Sequence, residues 1–144
     1  MQRRIVGLAL AVLATVAAAD MVLVQPKDLA AQLQAKGPPP ALFYVGYQTM
    51  FRKHIPAAVF AGPTSRTQGL DLLKTAVANL PRDRDVVIYC GCCPYDECPN
   101  VKPAVALLKQ MGFTRVRTLM IPTNFASDWI DHGYPVEEGK PAPK

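Results

Sequence analysis

Outside nine consecutive residues, this chain of 144 has no cysteine. Disulfides between distant segments are therefore excluded, as is any metal site that gathers thiolates from across the fold. Other signatures are missing too. There is no Ser-His-Asp order, no glycine loop suited to cradling phosphate, and no carboxylate pair set in separated environments. Triad hydrolysis, nucleotide binding and paired acid–base work are not expected. The basic residues form no block, so nucleic acid is not an expected partner. There is no internal repeat, and no linker is long enough to separate one domain from another.

Long apolar runs are also scarce. The one candidate spans residues 5–16, shorter than the roughly 20 residues that cross a bilayer. It follows the cationic start Met1-Gln2-Arg3-Arg4 and precedes the small residues Ala17-Ala18-Ala19. That order is the pattern of a signal peptide over 1–19, cleaved before Asp20. No cysteine stands at the cleavage point to take a lipid. The expectation is a periplasmic or secreted protein with no stable membrane anchor. Loss of Arg3 and Arg4 lowers the formal charge from +5 to +3, a mild excess compatible with a small anionic substrate. About 125 residues then remain, enough for one domain and a modest core.

Helical and strand patterns alternate along that remainder. Leu29 and Leu33 share a face in a helix over 26–35, which Gly37 and three prolines stop. Residues 41–46 and 57–60 read as short strands. Leu70, Leu73, Val77 and Leu80 mark a helix over 69–80. Residues 86–89 form the most β-prone run and read as a buried central strand. Asn100 is a good N-cap for a helix that Gly112 closes, and Pro103 falls in its first turn. A strand over 114–120 and a short helix over 124–132 follow. The pattern predicts an α/β fold: a mostly parallel central sheet with helices on both faces. Its single domain covers 20–140, and 141–144 form a flexible tail.

What the chain does have is Cys90-Gly91-Cys92-Cys93-Pro94-Tyr95-Asp96-Glu97-Cys98, between the buried strand and the next helix. Thiolates are nucleophiles, metal ligands and redox partners, so a cluster here reads as a chemical site. Cys90 lies where a strand ends and a helix begins. The unpaired N–H groups and positive dipole of such a helix favour thiolate and persulfide anions. The backbone of Gly91, Cys92, Cys93, Asn100 and Val101 is the expected anion cradle.

Three segments resemble the rhodanese-like (sulfurtransferase) family. Phe51-Arg52-Lys53-His54-Ile55-Pro56-Ala57-Ala58 is similar to the family's His-Ile-Pro-Gly-Ala region. The strand 86–89 runs into Cys90, and the helix after it ends in Met111-Gly112-Phe113. Asp128-Trp129-Ile130-Asp131-His132-Gly133-Tyr134-Pro135-Val136 is similar to the family's closing Trp…Gly-Tyr-Pro pattern. The resemblance implies a sulfurtransferase or sulfur carrier with Cys90 as catalytic nucleophile. Its partners would be a small sulfur donor and a thiol or cyanide-like acceptor, with no cofactor; a protein partner is not identified.

The loop departs from the family pattern. It is longer, has no arginine, and carries Asp96 and Glu97, which disfavour a thiolate and repel an anionic donor. Tyr44-Val45-Gly46 stands where the family has Asp-Val-Arg. Cys92, Cys93 and Cys98 read as a relay or resolving set, able to attack a Cys90 persulfide, release sulfide and leave a disulfide. They read equally as a structural loop disulfide, most simply Cys98 with Cys92 or Cys93. Cys90 and Cys93 also form Cys-x-x-Cys, which keeps a thiol–disulfide oxidoreductase open. A non-catalytic module with a metal-bound or bridged loop is the third alternative. Paired Cys-x2-Cys knuckles for zinc are absent, and no metal is assigned. His54 reads as structural, His132 as exposed, and Trp129 and Tyr134 as packing.

Overall fold

The computed structural model describes residues 21–139. The expected signal peptide at 1–19 and the tail at 141–144 lie outside the described residues. Five strands form one sheet: β1 (Val22–Val24), β2 (Ala41–Tyr44), β4 (Val59–Phe60), β5 (Val86–Tyr89) and β6 (Val116–Leu119). Their order across the sheet is β1-β6-β5-β2-β4, and every pairing is parallel. The expected α/β class and parallel sheet hold. β5 is central, with Ala41 to Tyr44 beside Val86 to Tyr89 on one side and Val116 to Thr118 beside Val86 to Ile88 on the other. All four of its residues are buried. A strand covered on both faces needs side chains apolar in both directions, and Val86-Val87-Ile88-Tyr89 supplies them.

Alternation along the strands builds two cores. Phe43, Val86 and Ile88 meet Leu73 and Val77 of α2 (Thr67–Val77) and Ala104, Val105 and Leu108 of α3 (Val101–Gln110). Leu42, Tyr44, Val87 and Tyr89 point the other way. There they meet Leu29 and Ala30 of α1 (Pro26–Gln34), with Phe125 and Trp129. Pro26 opens α1 in its first turn, where no N–H is needed. Gly112 closes α3 at φ +89°, a left-handed conformation that suits glycine.

Several details differ from the expectation. β1 is an edge strand with Val22 and Leu23 exposed, so it lacks the apolar alternation that would betray it. β3 (Lys53–His54) and β7 (Glu137–Glu138) pair antiparallel, outside the main sheet, and are too short to carry a period. The last helical segment, Ala126–Ile130, is a single wide π turn. It buries Trp129, whose Nε1 donates to the Pro135 carbonyl at 2.8 Å.

α2 begins two residues before the apolar period suggests, which moves Gly69 from the helix start to its third residue. Alanine normally stabilises a helix interior by about 1 kcal/mol over glycine. Here a Cβ would run into the Pro63 carbonyl and the Thr64 nitrogen, both backbone. Gly69→Ala is therefore expected to destabilise the fold, by about 1–3 kcal/mol, through overpacking. Urea unfolding of the two proteins checks the sign; a stabilised variant would refute the packing.

Candidate functional site

β5 delivers Cys90 to the carboxyl edge of the sheet, where parallel sheets leave a crevice for ligands. The nine-residue loop then folds back over that edge. The Tyr95 N–H donates to the Ile121 carbonyl at 2.9 Å, and the Phe125 N–H to the Gly91 carbonyl at 3.2 Å. These two ties hold the loop against the chain that follows β6. All four cysteines are free thiols. Cys90 and Cys98 are buried, Cys93 is half-buried and Cys92 is exposed.

The sulfurs converge. The Sγ atoms of Cys90, Cys92 and Cys98 all lie within 4.8 Å of one another. Cys90 and Cys92 are 3.5 Å apart, and the Cys92 and Cys93 sulfurs are 2.8 Å apart. Cys90 donates a hydrogen bond to Cys98. That bond, together with N–H groups of Asn100 and Val101, holds the Cys98 thiol well below its ordinary range against the cost of burial. Cys90 is pushed up, first by donating to Cys98 and then by burial; the Cys92 N–H opposes this. Burial, with a hydrogen bond to Cys92, pushes Cys93 up to about 12. Within the pair the negative charge is favoured on Cys98, and burial disfavours a second one on Cys90.

The expected cradle is therefore divided. The Cys92 N–H serves Cys90, whereas the Asn100 and Val101 N–H groups serve Cys98. Asn100 stands at the N-cap position of α3, but its side chain makes no cap bond. Its Oδ1 accepts from the Ser65 N–H at 2.9 Å, and its Nδ2 faces the Cys90 sulfur at 3.8 Å. Thr64 Oγ1 donates to the Asn100 carbonyl. A cap side chain is not needed where sulfur already takes the free amides. Asp96 and Glu97 are exposed, and neither is among the leading causes of the thiol shifts. Water around exposed carboxylates weakens the penalty they impose on a thiolate.

Aromatic rings wall the other side. Tyr44 packs edge-on to Tyr89 at 5.3 Å, and Tyr89 lies 5.5 Å from Phe125. Tyr44 Oη donates to the Tyr47 carbonyl, and Tyr89 Oη accepts from the Ile55 N–H. His54 stacks on Phe51 at 4.0 Å, with Nδ1 3.0 Å from the Phe51 carbonyl. Its contacts are structural. His132 is exposed and stacks on Tyr134.

Gly46 is the site residue that the sequence pattern did not single out. A Cβ there would lie 2.6 Å from Tyr44 Oη and 2.8 Å from Cys90 Sγ. Glycine two residues beyond the end of β2 was the available signal. Thr64 and Ser65, which orient Asn100, carried none.

The same fold is found in solved structures. A crystal structure of the Alr3790 protein from Anabaena sp. superposes with a TM-score of 0.62 at 24% identity, over 81% of this chain and 82% of that one. The solution structure of its rhodanese-like domain gives 0.60 at 21% identity, over 85% and 86%. A rhodanese-like domain protein from Staphylococcus aureus gives 0.57 at 16%, over 83% of this chain and all of the other. The chain has the rhodanese-like fold. No protein-family model and no curated protein matches its sequence. In this fold Cys90 stands between β5 and α3, at the head of the cysteine-rich loop.

Two outcomes follow from this geometry. Gly46→Ala must displace Tyr44 or Cys90, a strain of about 1–3 kcal/mol, so alkylation of Cys90 should slow about tenfold or more. Peptide mapping after timed iodoacetamide labelling measures this; an unchanged rate would remove Gly46 from the site. The second outcome concerns pH. Between the depressed Cys98 value and the ordinary thiol value of about 8.5, the folded chain binds fewer protons than the unfolded one. Stability of the reduced protein should therefore rise with pH over that window and be lost as pH falls through it. Above about 8.5 the raised Cys90 value reverses the sign, and stability should fall. Urea midpoints measured from about pH 6 to about pH 10 should peak between, and Cys98→Ser should flatten the acid limb.

Proposed function

We propose that this protein moves sulfane sulfur through a persulfide on Cys90, taking it from a small donor and passing it to a thiol or cyanide-like acceptor. One observation carries the reading. The Cys90 sulfur directly follows the central parallel strand, lies 3.5 Å from the Cys92 sulfur and within 4.8 Å of the Cys98 sulfur, and faces the Cys92 N–H. The rhodanese-like fold supports a sulfur-transfer type of domain in general. The signal-like residues 1–19 support an exported protein, periplasmic or secreted.

The chemistry is a pair of displacements at sulfur. Cys90 passes its proton to Cys98 and attacks the outer sulfur of the donor. The new S–S bond forms on Cys90 as the donor's own S–S bond breaks, and the donor leaves as an anion. An acceptor thiolate or cyanide then attacks the outer sulfur, and the bonding pair returns to Cys90. The Cys92 N–H stabilises the anion at both stages. Cys92 is exposed and touches Cys90, so the donor meets the site from that side.

Intact mass tests the reading. Reduced protein treated with glutathione persulfide should gain one sulfur, about 32 Da, as the thiolate chemistry requires. Cyanide should remove it, and Cys90→Ser should not acquire it. Full uptake by Cys90→Ser would overturn the assignment. No uptake, with masses two or four hydrogens below the reduced form, would favour the dithiol oxidoreductase instead.

A further inference from the structure

We infer that Cys90, Cys92 and Cys98 form a three-coordinate site for a soft monovalent cation, cuprous copper, independently of the sulfur chemistry. The spacing of their sulfurs is the first ground. Three sulfurs about 2.3 Å from a central ion in a trigonal plane are about 4 Å apart. The three Sγ atoms lie within 4.8 Å of one another, with Cys90 and Cys92 at 3.5 Å. Side-chain rotation of a few tenths of an ångström closes the triangle.

The donor set is the second ground. Among the described residues, no histidine nitrogen or carboxylate oxygen joins this group. Hard cations want oxygen, and zinc wants a fourth protein ligand in a closed site. Thiolates alone, three in number, suit Cu(I). Cys93 stays outside the mutual 4.8 Å group, although its sulfur touches that of Cys92 and is within hydrogen-bond reach of Cys98, so a fourth thiolate for zinc is what the Cys93→Ser and zinc arms of the test address. The lack of a second Cys-x2-Cys knuckle, which speaks against tetrahedral zinc, is no obstacle to a trigonal site.

The surroundings are the third ground. The Cys92 N–H points at the Cys90 sulfur, and the Asn100 and Val101 N–H groups at Cys98. Such N–H···S bonds orient metal-bound thiolates and spread their excess negative charge. Cys90 and Cys98 are buried in the core that packs on α2 and α3, with Tyr44 near the Cys90 sulfur, and Cys92 alone is exposed. A cation can be met at the surface by Cys92 and closed off from water by the other two. Binding is a proton exchange with no redox change: the cation enters, three S–Cu bonds form, and the remaining thiol protons leave.

The test is anaerobic titration of the fully reduced protein with Cu(I) held by bathocuproine disulfonate. The wild type should withdraw one equivalent, and Cys93→Ser should do the same. Cys90→Ser, Cys92→Ser and Cys98→Ser should each bind at least a hundredfold more weakly. An equal concentration of Zn(II) should not displace the copper. Circular dichroism checks each fold. If the buried variants unfold, Cys92→Ser decides, because Cys92 lies outside the core. Wild-type affinity in Cys92→Ser, or displacement by zinc, would overturn the site. Copper retention by a protein that takes up no sulfur would leave this site standing and remove only the persulfide reading.

Discussion

The N–H groups that open α3 have no carbonyl above them, and most of the site depends on how they are satisfied. A helix start usually borrows a side-chain oxygen. Here sulfur takes that place. Cys98, the last cysteine of the loop, sits two residues before Asn100 and accepts from both Asn100 and Val101. Its charge then polarises the Cys90 thiol, which is held from the opposite side by the end of β5. The long loop has a clear physical use: it carries a second sulfur to the start of α3.

Asn100 shows how one substitution of roles spreads outward. Relieved of capping, its amide becomes a strut between the cysteine loop and the segment before α2. Ser65 and Thr64 hold one end, and the Cys90 sulfur lies at the other. The strut is fully buried, so each of its polar atoms must find a partner inside the protein. Gly69 lets α2 approach the same segment closely, and Gly46 leaves room for the Cys90 sulfur beside Tyr44. The site is thus set by close approaches of backbone as much as by the cysteines.

That division explains what could be read from the sequence. The central strand 86–89 was legible to the residue, because burial on both faces forces an unbroken apolar run. Cys90 was legible as a site for the same reason: it follows that run directly. α1 and α3 were legible through apolar period, proline and terminal glycine. Gly46 and the Thr64–Ser65 strut were not, since each answers to a neighbour distant in sequence. Asn100 was placed correctly at the start of α3 but with the wrong task, because no local pattern records that a sulfur has taken the amides. Asp96 and Glu97 stand beside Cys98 in sequence, but the turn exposes both carboxylates and buries the thiol, a separation that no local pattern records.

Burial and charge also limit what the loop can accept. Two buried thiols sharing a proton form a pocket that tolerates one negative charge and resists a second. A persulfide keeps that count, because the charge moves to the outer sulfur on Cys90 while Cys98 holds the proton that Cys90 gave up. A cation lifts the limit by neutralising the thiolates it binds, so all three sulfurs can be deprotonated together. In both cases the occupant must be soft, since the walls are rings and sulfur and the fixed dipoles are amides directed at the sulfurs themselves. Hard oxyanions and hydrated cations find no side-chain charge among these walls to replace their water. The selectivity of the loop therefore follows from what the aromatic wall leaves out, and the amides decide which of the four sulfurs bears the charge.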